Sequence, residues 1–372
     1  MIYRVMNMRK KLSAAAKAAV ILPAAAFCFI KTDAVKDAVR EAVYRCLETV
    51  IPSLYAMLIV SGIIVRSGIH TKMPRPLRSF GRAVFGMEGG VFPIFLFSVF
   101  AGYPVGAKML CTEAECGHLS KRRAELLSGV CFGAGPAFIF GCISGQLYGS
   151  SAAGRVILLC TVGTDILLAL ALRFFPDKKA KAETAPHFRF DGNMFTDCVS
   201  SAGRLMLGIC FMIAAFAVLS AMLTYTGAAH KAGEVTAHLT GLAPEVSEQL
   251  IAAFLDVTAL SGLPKNDYSL LPFLCALTSF GGVCVLFQAA AAVSGKLSVK
   301  PLVIMRLAAA VISFFMCRAV MPFMLQNVTV SASSVSVHSE RSPVPSVMLL
   351  LMTLMVLSSY SLVSASRTTE SS

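Results

Sequence analysis

The stretch Val91-Phe92-Pro93-Ile94-Phe95-Leu96-Phe97-Ser98-Val99-Phe100-Ala101-Gly102-Tyr103-Pro104-Val105-Gly106-Ala107-Lys108 decides how the chain folds. It is apolar and carries no charge before Lys108. A straight helix needs about 20 such residues to cross a bilayer, so this run is short. It also interrupts itself, because Pro93, Gly102, Pro104 and Gly106 weaken or stop a helix. Inside hydrocarbon every backbone N–H and C=O needs a partner, so broken backbone is tolerated only where protein or a lined cavity supplies one. The run therefore reads as a broken, re-entrant segment of a larger membrane protein.

Outward from it, the flanks are basic. Arg66, Lys72, Arg75, Arg78 and Arg82 precede it, with no acid until Glu88. Lys108, Lys121, Arg122 and Arg123 follow, mixed with Glu113, Glu115 and Glu125. Short basic stretches between apolar runs belong on the cytoplasmic side of a membrane. They account for the net charge of +13 without nucleic acid as a partner. The 372 residues are 56% hydrophobic and 14% charged, against about 25% charged in soluble domains. Mean hydropathy is +0.73. Such a chain cannot cover itself for water. The lipid bilayer is its first partner, with room for roughly eight or nine segments. The expected fold class is all-α, a polytopic helical membrane protein.

The expected organisation has five parts. Residues 1–46 hold an N-terminal apolar run (Ala14 to Ile30, read as a retained span) and an amphipathic helix with Val35, Val39, Val43 and Leu47 at helical spacing. Residues 47–175 form a first unit: a span to about Val65, the broken segment, a Gly-interrupted segment from Leu126 to Tyr148, and a span from about Gly154 to Phe175. Residues 176–203 are a polar cytoplasmic linker. Residues 204–325 repeat the order: a span from Leu205 to Tyr225, an acidic loop from His230 to Glu248, a broken segment from Leu250 to Pro264, a Gly-interrupted segment from Leu271 to Val293, and a span from about Leu302 to Leu325. Residues 326–372 hold a last span, Val347 to Val363, and a Ser-rich tail.

The two units share motifs in the same order. Gly102-Tyr103-Pro104 matches Gly262-Leu263-Pro264, Phe132-Gly133 matches Phe280-Gly281, and Arg155 matches Arg306. With the basic loops inside and the acidic loop outside, the units acquire opposite orientation. Inverted repeats with broken segments at matching positions point to a transport site at the midplane.

Polar residues within apolar surroundings supply the candidates. Asp165 sits mid-span, where a carboxylate costs roughly 2.5–3.5 kcal/mol and needs an interior partner. Arg155, Arg306 and Arg318 are the cations at span level, and Asp165, Arg155 and Arg306 form the expected coupling or ion-pair group. The expected solute site comprises Gly102, Tyr103, Pro104, Lys108, Gly133, Gly135, Pro136, Asp256, Gly262, Lys265, Gly281, Gly282 and Gln288. There Asp256 or Asp165 would handle a proton or cation, and Lys108 and Lys265 would attract an anion. Kinked packing helices, snorkelling lysines and a purely structural buried pair are the bland alternatives.

No catalytic constellation appears. There is no His-Glu-x-x-His, no Walker loop and no Gly-x-Ser-x-Gly, so the chain is not expected to be an enzyme. Most of the 12 cysteines lie in apolar runs, where Cys behaves as a small hydrophobe. Cys111, Cys116 and His118 lie together in a predicted loop, but no second ligand pair joins them. No metal and no cofactor is expected.

The stretch Ala101-Gly102-Tyr103-Pro104-Val105-Gly106-Ala107-Lys108 resembles the Ser-Gly-Tyr-Pro-Val-Gly-Ala-Lys signature of the YlbJ-type sporulation integral membrane proteins, which carry the nucleoside-recognition or Gate domain. Gly135-Pro136-Ala137-Phe138-Ile139-Phe140-Gly141 is similar to that family's Gly-Pro-x-Phe-Ile-x-Gly, and Ser279 to Gln288 to its Ser-Phe-Gly-Gly segment ending in Gln. Ala101 stands where the family has Ser, Asp256 where it has Glu, and Leu286 where it has His. The resemblance implies a protein of the bacterial cytoplasmic membrane, or of the membrane around the forespore. It implies a carrier or gated pathway for a small polar, anionic solute, with dipicolinate as the hypothesised cargo. The alternatives are a non-transporting scaffold, with other sporulation membrane proteins or further copies of this chain as partners, and a nucleoside transporter or sensor.

Overall fold

The computed structural model describes residues 23, 25–72, 74–87, 90–175 and 192–325. The expected last span and most of the first lie outside these residues. Among the described residues every regular element is helical and there is no strand. Five helices are long and apolar enough to cross a bilayer: Thr32–Arg66, Ser151–Leu172, Gly192–Tyr225, Tyr268–Ala292 and Lys300–Met324. Two shorter apolar helices, Val91–Ala101 and Phe138–Tyr148, accompany them.

α1 (Thr32–Arg66) joins the amphipathic stretch to the span without a break, through a π turn at Cys46–Val50. Its buried side is lined by small and branched residues, Ala42, Cys46, Val50, Leu58 and Val65, at the three- and four-residue spacing of one helix face. Val43 and Leu47, on the other side, stay exposed. α2 (Arg75–Phe85) occupies what reads as a basic loop; Pro74 precedes it and a left-handed Gly86 ends it. α3 (Val91–Ala101) stops at Gly102, and α4 (Val105–Glu115) starts after Pro104. α5 (Lys121–Ser128) begins under a Ser120 cap whose side chain accepts from the Arg123 N–H. An irregular passage over residues 129–135 leads into α6 (Phe138–Tyr148), most of which is π-helical. α7 (Ser151–Leu172) closes this half of the chain; Ser150 Oγ accepts from the Ala152 N–H and Ser144 Oγ from the Gly154 N–H.

α8 (Gly192–Tyr225) starts well ahead of the expected Leu205, inside the segment read as linker. Its first turns are polar (Asn193, Thr196, Asp197), which hides them from a hydropathy reading. α9 (Ala228–Thr240) fills most of the expected acidic loop, between left-handed Gly227 and Gly241. α10 (Pro244–Leu255) ends at Asp256, where the chain turns into a 3₁₀ segment, Val257–Gly262. α11 (Leu271–Phe280) and α12 (Gly282–Ala292) are separated by Gly281. α13 (Lys300–Leu325) is the last described helix.

α8 packs along α1, α13 packs between α7 and α11, and α9 packs on α10. Among the fully enclosed side chains, Phe132, Ile94, Leu110, Ile139 and Ile143 lie on the broken elements. α13 buries one face and exposes the other: Ile304 (67% exposed), Leu307 (49%), Val311 (58%) and Phe315 (63%) form one continuous apolar stripe at helical spacing. Exposing such a stripe to water would be costly, and lipid accommodates it. These helices fit a membrane protein.

Candidate functional site

Four interruptions in the helices meet. Gly102 has φ +76° and ψ 174°, a conformation essentially closed to residues with a Cβ. A Cβ at Gly102 would lie 2.8 Å from the Gly135 amide nitrogen, and one at Gly135 would lie 2.9 Å from the Phe100 carbonyl. The α3–α4 and α5–α6 interruptions therefore stand backbone to backbone, which only glycine permits. Gly281 (φ +88°) and Gly282 (φ +80°) are both left-handed. A Cβ on Gly281 would touch the Phe132 ring at 3.0 Å and Tyr103 at 3.6 Å, and one on Gly282 would meet the Val257 nitrogen at 2.9 Å. So the α11–α12 interruption rests on the first two and on the Asp256 turn as well.

A buried ion pair ties two of these interruptions together. Arg306 of α13 is fully enclosed, and its Nη2 lies 2.7 Å from Asp165 Oδ1 of α7. Nη1 donates to the Phe132 carbonyl at 2.5 Å and to the Ser279 carbonyl at 3.3 Å. Those carbonyls flank the α5–α6 and α11–α12 interruptions, where helical partners are missing. The guanidinium thus satisfies backbone acceptors that the breaks release. A Cβ on Gly133 would fall 2.8 Å from Asp165 Oδ2, so the carboxylate packs directly on the broken backbone. Arg155 is elsewhere: it is exposed in the first turns of α7 and donates to Ser151 Oγ at 2.8 Å.

Around the same centre lies a line of polar groups. Asp256 is buried, and its Oδ1 accepts from the Thr258 N–H (3.1 Å) and its Oδ2 from Thr258 Oγ1 (2.8 Å). Arg45 Nη1, at the start of the π turn of α1, donates to Thr258 Oγ1 at 3.2 Å. Arg45 Nε is buried with no hydrogen-bond partner, and so are Tyr103 Oη, Thr278 Oγ1 and Ser279 Oγ. Tyr103 stacks obliquely on Phe132 (5.3 Å between ring centres) and is within electrostatic reach of Asp256. Gln288 is buried on α12, its Nε2 directed at Cys284 Sγ at 3.3 Å. Unpartnered donors next to a carboxylate and a guanidinium can hold a small polar molecule, because leaving them bare costs about 1–3 kcal/mol each.

Most of the expected site residues are therefore gathered: Gly102, Tyr103, Gly133, Gly135, Asp256, Gly281, Gly282 and Gln288, with Pro104 and Pro136 starting α4 and the turn into α6. Three are not at this centre. Gly262, the last residue of the 3₁₀ segment, and Lys265 beyond it are exposed, and a Cβ on Gly262 would meet nothing within 4 Å. The second broken segment breaks at Asp256, not at Gly262-Leu263-Pro264, because Asp256 caps the new turn with its own side chain. Lys108 is half-buried on α4 and lines a separate cleft with Arg66, Ser61, Thr112 and Ser201.

Arg45 and Thr258 escaped the sequence reading. Arg45 looks like one more charge of an amphipathic helix; the signal was its position as the last charge but one before the uncharged run Thr49 to Val65. A buried His-Glu-His cluster also escaped it. His70 Nε2 lies 2.9 Å from Glu113 Oε1, and His118 Nδ1 lies 3.5 Å from Glu113 Oε2. It fastens the turn after α1 to α4. The expected loop set of Cys111, Cys116 and His118 does not form. Cys111 belongs to α4 and points at Glu115 Oε1 (3.3 Å) and the Val293 carbonyl (3.7 Å).

No family model matches this chain, and no curated protein and no solved structure matches it.

Proposed function

We propose that the chain is a membrane carrier or gated pathway for a small polar anion, built from two inverted units whose helix breaks surround the solute. The element order supports the duplication: a long span (α1, α8), a short surface helix (α2, α9), a broken hairpin (α3–α4, and α10 with its 3₁₀ segment), a broken helix (α5–α6, α11–α12) and a closing span (α7, α13). Corresponding spans also pack on each other, α1 on α8 and α7 on α13.

The observation that carries the reading is the meeting of the breaks at a centre lined by polar groups with no protein partner, Tyr103 Oη and Arg45 Nε among them. Helices α4, α6 and α12 all begin at these breaks, so their positive N-terminal ends face the same region and favour negative charge. Arg45 adds a full cation there. Asp256 is the group that would take up a coupling proton or cation, or hold Thr258 and Arg45 in place for the solute.

The role in spore formation rests on the resemblance carried by the Ala101–Lys108, Gly135–Gly141 and Ser279–Gln288 stretches, and dipicolinate as cargo on that resemblance with the basic residues beside the breaks. The test is the dipicolinate content of spores made with this chain, without it, and with Asp256→Asn. A carrier of dipicolinate leaves spores poor in it in both altered strains while synthesis continues. Normal content in all three removes this cargo.

A further inference from the structure

We propose that Cys160, Cys275 and Cys317 form a binding site for one soft monovalent d10 cation, Cu(I), which fastens three helices together. The site shares no residue with the anion site. The three cysteines come from α7, α11 and α13, and their sulfur atoms all lie within 4.8 Å of one another. Each is fully buried. All the cysteines described are free thiols, and among the described residues this is the one group of three or more metal-ligating side chains close enough to share an ion. Cysteines used merely as small apolar residues have no reason to converge from three separate helices.

Ligand chemistry narrows the occupant. Sulfur ligands select Cu(I), Zn(II) and iron–sulfur clusters over hard ions. Structural zinc is closed by four ligands, and no fourth His, Cys, Asp or Glu joins this group among the described residues. Iron–sulfur clusters likewise take four. Three sulfurs match a three-coordinate monovalent ion. The apolar cluster around the thiols includes Ile157, Leu274 and Leu271 and keeps water from the sulfur atoms. Binding releases one S–H proton for each thiolate that forms, and no electron is transferred.

The position gives the ion a task. The same three helices also contribute Asp165, Ser279 and Arg306 to the layer that closes the breaks. A metal at the cysteines would fix the mutual position of α7, α11 and α13 a second time.

The test uses the full-length chain, expressed with copper in the medium so that folding occurs with the ion at hand. Accessible thiols are alkylated after solubilisation, and copper per chain is measured with X-ray absorption at the copper edge. The expected result is a copper held by three sulfur ligands and no nitrogen or oxygen. Cys160→Ala, Cys275→Ala and Cys317→Ala should each weaken retention by more than the roughly 10–100-fold that loss of a supporting residue costs. Cys210→Ala should leave it unchanged. A wild-type chain without copper, copper on nitrogen or oxygen ligands, retention that survives all three substitutions, or a disulfide between any two of the three would overturn the proposal. The wild-type spectrum decides even where a variant fails to fold.

Discussion

At the scale of single residues, the Asp165–Arg306 pair does two things at once. It neutralises two buried charges, and through Arg306 it supplies donors to the carbonyls of Phe132 and Ser279. Removing one member of a buried pair costs about 3–5 kcal/mol, whereas replacing both with apolar residues is often close to neutral. Here the double replacement still strips two carbonyls of their donor. We therefore expect Arg306→Met to lower the unfolding midpoint of the detergent-solubilised protein more than Asp165→Asn. Asp165→Leu with Arg306→Met should recover only part of the loss. Full recovery would mean that the guanidinium has no role in closing the breaks. Much of this was legible: a mid-span Asp demands a partner, and Arg306 was one of three span-level cations, beside Arg155 and Arg318. What decided between Arg306 and Arg155 was the crossing of α7 with α13, which is a property of packing and not of either helix. Arg45 was illegible for a similar reason. Its value comes from Thr258, more than two hundred residues away in the chain.

At the scale of elements, the breaks depend on glycine. Gly102→Ala puts a Cβ into a backbone region reserved for glycine and against the Gly135 amide at 2.8 Å. The strain alone is about 1–3 kcal/mol, and the α3–α4 turn must shift as well. The expected outcome is a folded but less stable chain with impaired transport, read by thermal unfolding and flux on the same sample. The breaks at Gly102 and Gly281 were readable because glycine announces positive φ. The break at Asp256 was not, since the Gly262–Pro264 motif looked stronger than a lone Asp whose side chain caps the next turn. The short helices α2 and α9 were read as loops because their charges outweigh their apolar faces.

A second element-level prediction concerns the clip between α4 and the turn before α13. Lys296 Nζ lies 2.9 Å from Glu115 Oε1. Partial burial pushes the Glu115 carboxyl up, but the Lys296 ammonium and the Cys111 thiol outweigh it and hold it below its ordinary value. Glu115 in turn raises Lys296. A lowered acid stabilises the fold above its unfolded pKa of about 4.3 and loses that contribution as pH falls through the lower folded value. A raised base contributes fully below about 10.4 and loses its share as pH rises through the higher folded value. Wild type should therefore show a small acid-side drop in unfolding midpoint that Glu115→Gln lacks. Solvent screens an exposed pair of this kind, so the drop is small, and identical acid limbs in both proteins would mean that the clip contributes nothing.

At the scale of the whole molecule, the class of protein followed from composition, and the outward face of α13 agrees with it. The chain contains no Trp, so one introduced there reports on its own surroundings. Phe315→Trp should emit at short wavelength and be quenched by brominated lipid, whereas Phe132→Trp, if tolerated in the enclosed core, should not be quenched. Quenching of neither would place the α13 stripe against protein. What composition could not deliver was the convergence. The order of elements can be read along a line, but that four breaks share one centre depends on close backbone contacts at Gly102, Gly135, Gly281 and Gly282.

The measurement that bears most directly on the central claim is anion flux into vesicles holding the purified full-length chain, with labelled dipicolinate first and other small carboxylates beside it. Wild type should pass at least one of them in a saturable way. Asp256→Asn and Arg45→Gln should each lower the flux about tenfold or more, the equivalent of losing one charge-assisted hydrogen bond of about 1.5–3 kcal/mol, with the same amount of folded protein inserted. Vesicles with correctly inserted wild-type chain that pass no anion above the protein-free background, or flux indifferent to both substitutions, would contradict a transport site at the meeting of the breaks.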